Sequence, residues 1–255
     1  MGSVTSQWYG AREETSSTRL ARDGKCVLLT GVASGLGLTT ARMLVHEGVQ
    51  VIGCDREAGV LDALAAELGS RFMPVACDMT DPGSMDEAAQ LVRAAQSDGI
   101  DGIVHFAGMH SAGPLMELSE QEFSAVFNVN VVGVWRTQCV FFELLRMRRG
   151  RTVFISSEVG YARFCHAFSG AYSMSKVALD ELGTVLRQEY ACLEPPMELW
   201  PRRRYGLNVS WGMYLVSFIP QPLLDALIVS TVRGGVAKGF REALTSVLTA
   251  LLCLF

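Results

Sequence analysis

Tyr172 and Lys176 stand four residues apart in the stretch Tyr172-Ser173-Met174-Ser175-Lys176, which has helical character. At that spacing two side chains share one helix face, so the ammonium favours the phenolate and suits Tyr172 to general acid/base work near neutral pH. Any helix can carry such a pair by chance, so its context decides. A second group of residues lies near the start of the chain. Gly31-Val32-Ala33-Ser34-Gly35-Leu36-Gly37 follows the apolar run 26–30 and leads directly into a helical pattern. Gly31 permits a tight turn, Gly35 lets the backbone approach a pyrophosphate, and Gly37 allows close helix-strand packing. The helix N-terminus opening at Ser34 and Leu36 adds N–H groups and positive potential. An ordinary glycine-rich turn would account for the glycines but not for their place between strand and helix. Asp55 closes the next apolar run, about where a carboxylate accepts hydrogen bonds from both hydroxyls of an adenine ribose. It would repel a 2'-phosphate, which favours NAD over NADP, although Arg56 beside it offsets part of that repulsion. Asp78, followed by Met79, is placed to contact the adenine. For both aspartates a solvated loop position is the plain alternative.

The elements that must position these residues follow from the alternation of short apolar runs with longer helical patterns. That rhythm is the sequence form of repeated strand-helix units and predicts a single α/β domain with a doubly wound parallel sheet. Strands are expected at 26–30, 49–54, 72–77, 100–106 and 152–156, and helices near 39–47, 59–68, 84–95, 119–148 and 173–189. Residues 1–23 read as a mobile tail and 24–190 as the dinucleotide-binding and catalytic core. Residues 191–255, interrupted by Pro195, Pro196 and Pro201, read as a divergent, apolar substrate or oligomer segment of the same domain.

In their order along the chain these motifs resemble the short-chain dehydrogenase/reductase family, in the subgroup with Thr-Gly-x-x-x-Gly-x-Gly and Tyr-x-x-x-Lys motifs. The match spans about residues 25 to 190: Thr30 to Gly37, Asp55, Asp78, His105-Phe106-Ala107-Gly108, Asn130 with Gly133, Ile155-Ser156-Ser157, and Tyr172 to Lys176. The resemblance implies a hydride transfer between a nicotinamide cofactor and a carbinol or carbonyl carbon. Ser157 would hold the substrate oxygen and Tyr172 transfer its proton. Lys176 would bind the nicotinamide ribose, and Asn130 would hold a water relaying the proton to Lys176. Ala107 and Gly108, being small, would let the cofactor approach. A homodimer or homotetramer through the helices at 119–148 and 173–189 is also implied.

Three departures from the family pattern stand out. His105-Phe106 replaces the usual Asn-Asn, removing a strand-to-strand hydrogen bond whose loss bears on stability more than on chemistry. Ser157 lies about two residues farther from Tyr172 than is usual, which a small loop insertion absorbs, with Ser156 as the second choice for the substrate contact. After Tyr190 an extra segment intervenes before residues 205–210, which resemble a sixth strand, and Trp211-Gly212 stands where the family has Pro-Gly.

Composition narrows the alternatives. The 255 residues carry a formal charge of -4 and one basic cluster at 202–204, so no nucleic-acid partner is expected. The odd number of cysteines, seven and scattered, reads as reduced thiols of a cytoplasmic protein, and the four histidines never reach metal-ligand spacing, so no metal is expected. The apolar stretches 207–219 and 243–255 fall short of a membrane span, and no secretory signal pattern opens the chain. Met1-Gly2-Ser3-Val4-Thr5-Ser6 fits the pattern for acylation of Gly2, which would give at most weak membrane association. The leading expectation is an oxidoreductase acting on a fairly apolar alcohol or ketone, steroid-, retinoid- or lipid-like. A catalytically impaired cofactor-binding homologue with a binding or regulatory role is the alternative. A nucleotide-sugar epimerase or dehydratase fits less well, because those relatives space the glycines differently and carry a longer substrate domain.

Overall fold

The computed structural model describes residues 24–157, 159 and 167–193. The N-terminal tail, the expected insertion after Ser157, the divergent segment beyond Leu193 and the sixth-strand region all lie largely or wholly outside the described residues. Five strands form one sheet: β1 (Cys26–Thr30), β2 (Gln50–Asp55), β3 (Phe72–Ala76), β4 (Gly102–His105) and β5 (Arg151–Phe154). They pair in parallel in the order β3-β2-β1-β4-β5. β1 is the central strand and is buried along its whole length. That is why it reads as an unbroken apolar run: a parallel strand covered on both faces has no polar side to show.

The helices are α1 (Gly35–His46), α2 (Ala58–Leu68), α3 (Pro82–Ala95), α4 (Glu120–Phe127), α5 (Val134–Met147) and α6 (Gly170–Ala191). Successive strand residues face opposite sides and divide the core in two. Val27, Leu29, Val51 and Val104 pack with Ala41 and Leu44 of α1 and Leu61 and Leu64 of α2. Leu28, Ile52 and Ile103 pack instead with α3, α5 and α6 through Met85, Phe141 and Leu179. Each fully buried Leu or Ile contributes about 1.5–3 kcal/mol, so both faces are needed to hold the sheet. The doubly wound α/β reading holds. Helix starts follow ordinary capping chemistry. Asp81 accepts from the Ser84 N–H at 2.9 Å, and Ser119 and Glu122 form a reciprocal capping box at the start of α4.

The stretch 119–148, read as one helix, is helical throughout but not uniform. Residues Asn128–Gly133 form a wider π-helical turn between α4 and α5. Such turns are rare and gather at functional sites. A tight contact accompanies this one: a β-carbon on Gly133 would lie 2.9 Å from Cγ of Met79.

His105 ends β4 buried, where the family resemblance leads one to expect asparagine. Its Nε2 lies 2.7 Å from Nε2 of Gln138 on α5, and its ring stacks on Phe154 of β5 at 5.2 Å. Gln138 Oε1 in turn accepts from the Thr152 hydroxyl at 3.2 Å and the Tyr190 hydroxyl at 3.1 Å. The expected loss of a cross-strand bond is therefore offset by a buried link from β4 through α5 to β5 and the end of α6.

Burial pushes the His105 imidazole down from 6.5 to about 3. Below pH 6.5 the unfolded chain takes up a proton that the folded chain refuses. This stability is therefore complete above 6.5 and is lost as pH falls toward about 3. At pH 5 the loss from this one group is about 2 kcal/mol. Denaturant titrations between pH 6.5 and 4.5 should give the wild type a pH slope about 1.2 kcal/mol per unit steeper than His105→Asn. Equal slopes would contradict the assignment.

Candidate active site

Among the described residues, those singled out by sequence lie at or just past the carboxyl end of a strand, apart from Gly35 to Gly37 in the first turn of α1, Asn130 and Gly133 on the π turn, and the pair on α6. Gly31 follows β1, Asp55 ends β2, Asp78 follows β3, Ala107 and Gly108 follow β4, and Ser156 and Ser157 follow β5. In an open parallel sheet this edge is where ligands bind, at the point where strand order reverses. Here the reversal lies between β1 and β4. The opposite edge is closed by Asp101, whose carboxylate accepts from Lys25 Nζ and the Cys26 N–H at 2.9 Å and from Arg148 Nη1 at 3.0 Å.

The glycine loop is built by close approach. A β-carbon on Gly31 would sit 2.6 Å from the Ala107 nitrogen, and one on Gly37 only 2.1 Å from the Gly31 carbonyl oxygen, so neither position admits a side chain. Gly35 differs: its φ is +55° and nothing lies within 4 Å of where its β-carbon would be. The loop is packed behind and open at Gly35. Ser34 occupies the N-cap of α1 in extended conformation but makes no side-chain cap bond. The first-turn N–H groups of α1 around Gly35, Leu36 and Gly37 lack intrahelical partners, as at any helix start. An anionic group fits this opening.

Asp55 does more than end β2. Its Oδ2 accepts from the Ala33 N–H at 2.9 Å and its Oδ1 from the Glu57 N–H at 3.2 Å, so the carboxylate struts the glycine loop from the neighbouring strand. Arg56 reaches Glu57 at 3.5 Å on the exposed surface. Asp78 folds back on Thr80, accepting from its N–H at 2.8 Å and its hydroxyl at 2.6 Å. Those bonds, chiefly the one from the hydroxyl, hold the Asp78 carboxyl below the usual range. Met79 is buried, and its carbonyl accepts from Arg136 Nη1 of α5.

At the other end of the site the chain converges on Asn130, which is only 1% exposed. Its Oδ1 accepts from the Met109 N–H at 2.7 Å, while Nδ2 donates to the Met109 carbonyl at 2.8 Å and to Ser175 Oγ at 2.9 Å. Ser175 passes the link on by donating to the Tyr172 carbonyl at 2.7 Å. Both N–H donors of Asn130 are thus spent, so a water meeting this side chain does so as a donor to the remaining carbonyl lone pair. Gly108 faces the same cluster: a β-carbon there would lie 3.4 Å from Asn130 Oδ1 and 3.8 Å from Lys176 Nζ.

Lys176 is buried, and its Nζ donates to the Ile155 carbonyl at 2.9 Å, leaving two ammonium hydrogens for other partners. The same Nζ stands 5.6 Å from the centroid of the Tyr172 ring. Burial lowers the Lys176 pKa, while Asp180 one turn on acts in the opposite sense. Tyr172 is half-buried, and on its other neighbouring segment the His110 ring meets it at 4.7 Å. Ser157 lies two residues beyond the carbonyl that anchors Lys176, and Ser156 Oγ is buried without a hydrogen bond among the described residues. Contacts in the structure therefore join Gly108, Asn130, Tyr172 and Lys176, with Ser156 and Ser157 on the adjoining strand end. Met109, His110 and Ser175 belong to the same cluster and escaped sequence reasoning. Ser175 alone had a signal, its place inside the Tyr-to-Lys motif.

The family model described as short chain dehydrogenase matches residues 25–193. Human retinol dehydrogenase 16 is 33% identical over 185 residues, covering 71% of this chain and 56% of that protein. Rat 17-beta-hydroxysteroid dehydrogenase type 6 is 32% identical over 186 residues, again covering 56% of its length. The chain thus spans little more than half of these two relatives. The 3-oxoacyl-(acyl-carrier-protein) reductase of Thermotoga maritima is 33% identical over 210 residues, 80% of this chain and 78% of that protein. Among solved structures, a short-chain dehydrogenase from Streptomyces avermitilis superposes with a TM-score of 0.62 at 33% identity, over 69% of this chain and 62% of that one. A 3-ketoacyl-(acyl-carrier-protein) reductase from Brucella melitensis complexed with NADH gives 0.63 at 22% identity, over 69% and 73%, a likeness of fold alone. With its sheet order, its glycine loop and its matched residues in agreement, the chain belongs to the short-chain dehydrogenase family.

Proposed function

We propose that the protein is a nicotinamide-dependent oxidoreductase that interconverts an alcohol and a ketone, with NAD(H) preferred. The observation that carries this reading is the joined cluster of Asn130, Tyr172 and Lys176 beside a glycine loop open at Gly35. The dinucleotide would lie along the carboxyl edge, its pyrophosphate at Ser34 to Gly37, its adenosine toward Asp55, Asp78 and Met79, and its nicotinamide end toward Ala107, Gly108 and Lys176. Bound there, it supplies or accepts the hydride. The chain's own residues handle the proton. Tyr172 donates it to a ketone oxygen, or takes it from an alcohol, and Ser157 holds that oxygen. The Lys176 ammonium, fixed by the Ile155 carbonyl, favours the phenolate and has donors left for a ribose hydroxyl. Asn130 holds the relay water through its remaining lone pair.

A fairly apolar substrate suits the surroundings of Tyr172. Met109, Leu115, Met116 and Phe168 are exposed in the segments that flank it. Similarity to a retinol dehydrogenase and a hydroxysteroid dehydrogenase supports retinoid-, steroid- or lipid-like candidates. Exposed Trp135 and Met147 on α5, and Met174, Val177 and Val185 on α6, support self-association through these helices as a homodimer or homotetramer. Cytoplasmic residence, with at most weak membrane association, completes the proposal.

Fluorescence titration with NADH and NADPH, followed by a panel of apolar alcohols and ketones, tests the reading. NADH binding without turnover on any of them would instead assign a binding-only role. Tyr172→Phe should cut turnover by roughly 10²- to 10⁴-fold with NADH affinity kept within about twofold. Unchanged turnover would remove the acid/base assignment. Lys176→Ala should lose both turnover and NADH affinity, and normal affinity would contradict the ribose contact. For Asp55→Ser, the ratio of NADH to NADPH dissociation constants should shift toward NADPH, and a wild type already preferring NADPH would overturn the cofactor choice.

A further inference from the structure

We infer that His110 is a positioning residue for Tyr172, setting the direction of its phenol through ring contact. The inference rests on the proposed acid/base role of Tyr172. His110 lies in the connection between β4 and α4, and its imidazole centroid is 4.7 Å from that of Tyr172, with the ring planes tilted by 55°. Tilted contact places the positive edge of one ring against the negative face of the other, an arrangement aromatic pairs prefer. Without it the only ring contact of Tyr172 among the described residues is the more distant Lys176 ammonium, 5.6 Å from the centroid.

His110 is exposed, so burial does not hold it in place. Its loop does. The preceding residue, Met109, is gripped at both N–H and carbonyl by the buried Asn130 amide, at 2.7 and 2.8 Å. Three residues on, the Gly113 N–H donates to the Phe168 carbonyl at 2.8 Å, and Leu115 packs where a β-carbon on Gly170 would be, at 3.0 Å. Both of those partners lie immediately before or at the start of α6, which carries Tyr172. The loop is therefore fastened on either side of His110 to the elements that set the phenol. Ser175 closes the circuit, joining Asn130 to the Tyr172 carbonyl. A backbone so fastened spends little entropy in holding the imidazole against the phenol.

An aromatic pair of this kind biases ring orientation by roughly 3- to 10-fold. His110→Ala should lower kcat by about that factor, leaving KM and the NADH dissociation constant within about twofold and the melting temperature lowered by no more than about 5 °C. His110→Phe keeps a ring and loses the nitrogens, and it should restore kcat to near wild type. Wild-type kcat in His110→Ala would overturn the inference. So would a His110→Phe variant as slow as the alanine variant, since the nitrogens, acting on substrate, would then be what matters. Tyr172→Phe, assayed alongside, separates this from failure of the underlying reading: if it keeps full turnover, Tyr172 is not the acid/base, whereas if it is inactive and His110→Ala is normal, only the positioning role is wrong.

Discussion

A buried primary amide has two N–H donors and a carbonyl to satisfy, and Asn130 satisfies them on Met109 and Ser175. Leaving any one of them unpaired in so enclosed a place costs about 1–3 kcal/mol. The amide therefore fixes three stretches of chain at once: the π turn it sits on, the loop after β4, and the first two turns of α6. Gly108, Tyr172 and Lys176 take their places from those three stretches. The widened turn at Asn128–Gly133 is where this amide enters the cluster, and Gly133 on the same turn gives room to Met79. In this way one π turn borders both sides of the proposed cofactor site, Gly133 facing Met79 on the adenosine side and Asn130 the proton-transferring side.

The sheet supplies the larger frame. With β1 in the centre, the chain runs outward through β2 and β3, returns, and continues through β4 and β5, so the loops after β1 and β4 face one another across the reversal. Their packing is closest at Gly31 and Ala107, where no side chain fits. Thr30 Oγ1 stitches the same junction by accepting from the Ala107 N–H at 3.2 Å. The Asp55 carboxylate ties the edge together laterally, from β2 to the glycine loop, while Asp78 closes its own turn on Thr80.

Much of this was legible in the sequence because it depends on local pattern. Strands buried on both faces appear as apolar runs, which is how β1 was placed with its bounds intact, and the glycine loop announces itself by spacing between strand and helix. What escaped depends on contacts between distant residues. Nothing near Met109 or His110 points to Asn130, 21 residues away, or to Tyr172 on α6. The π turn is invisible for a related reason, since 119–148 keeps helical periodicity while the contacts that accompany the widening, Gly133 on Met79 and Asn130 on Met109, come from distant segments. The replacement of asparagine by His105 is visible in the sequence, but its compensation is not, because Gln138 reaches it from α5 and is itself held by Tyr190 at the end of α6.

The central claim is that a hydride passes between a nicotinamide bound at this cluster and a carbonyl carbon while Tyr172 transfers a proton to or from the carbonyl oxygen. A single-turnover experiment tests it most directly, using the protein, stoichiometric NADH deuterated at its transferable position, and apolar ketones in turn. The account predicts loss of the reduced-nicotinamide absorbance with at least one ketone and recovery of the deuterium on the carbinol carbon. NADH that binds, by its fluorescence, yet keeps its absorbance with every ketone would contradict it.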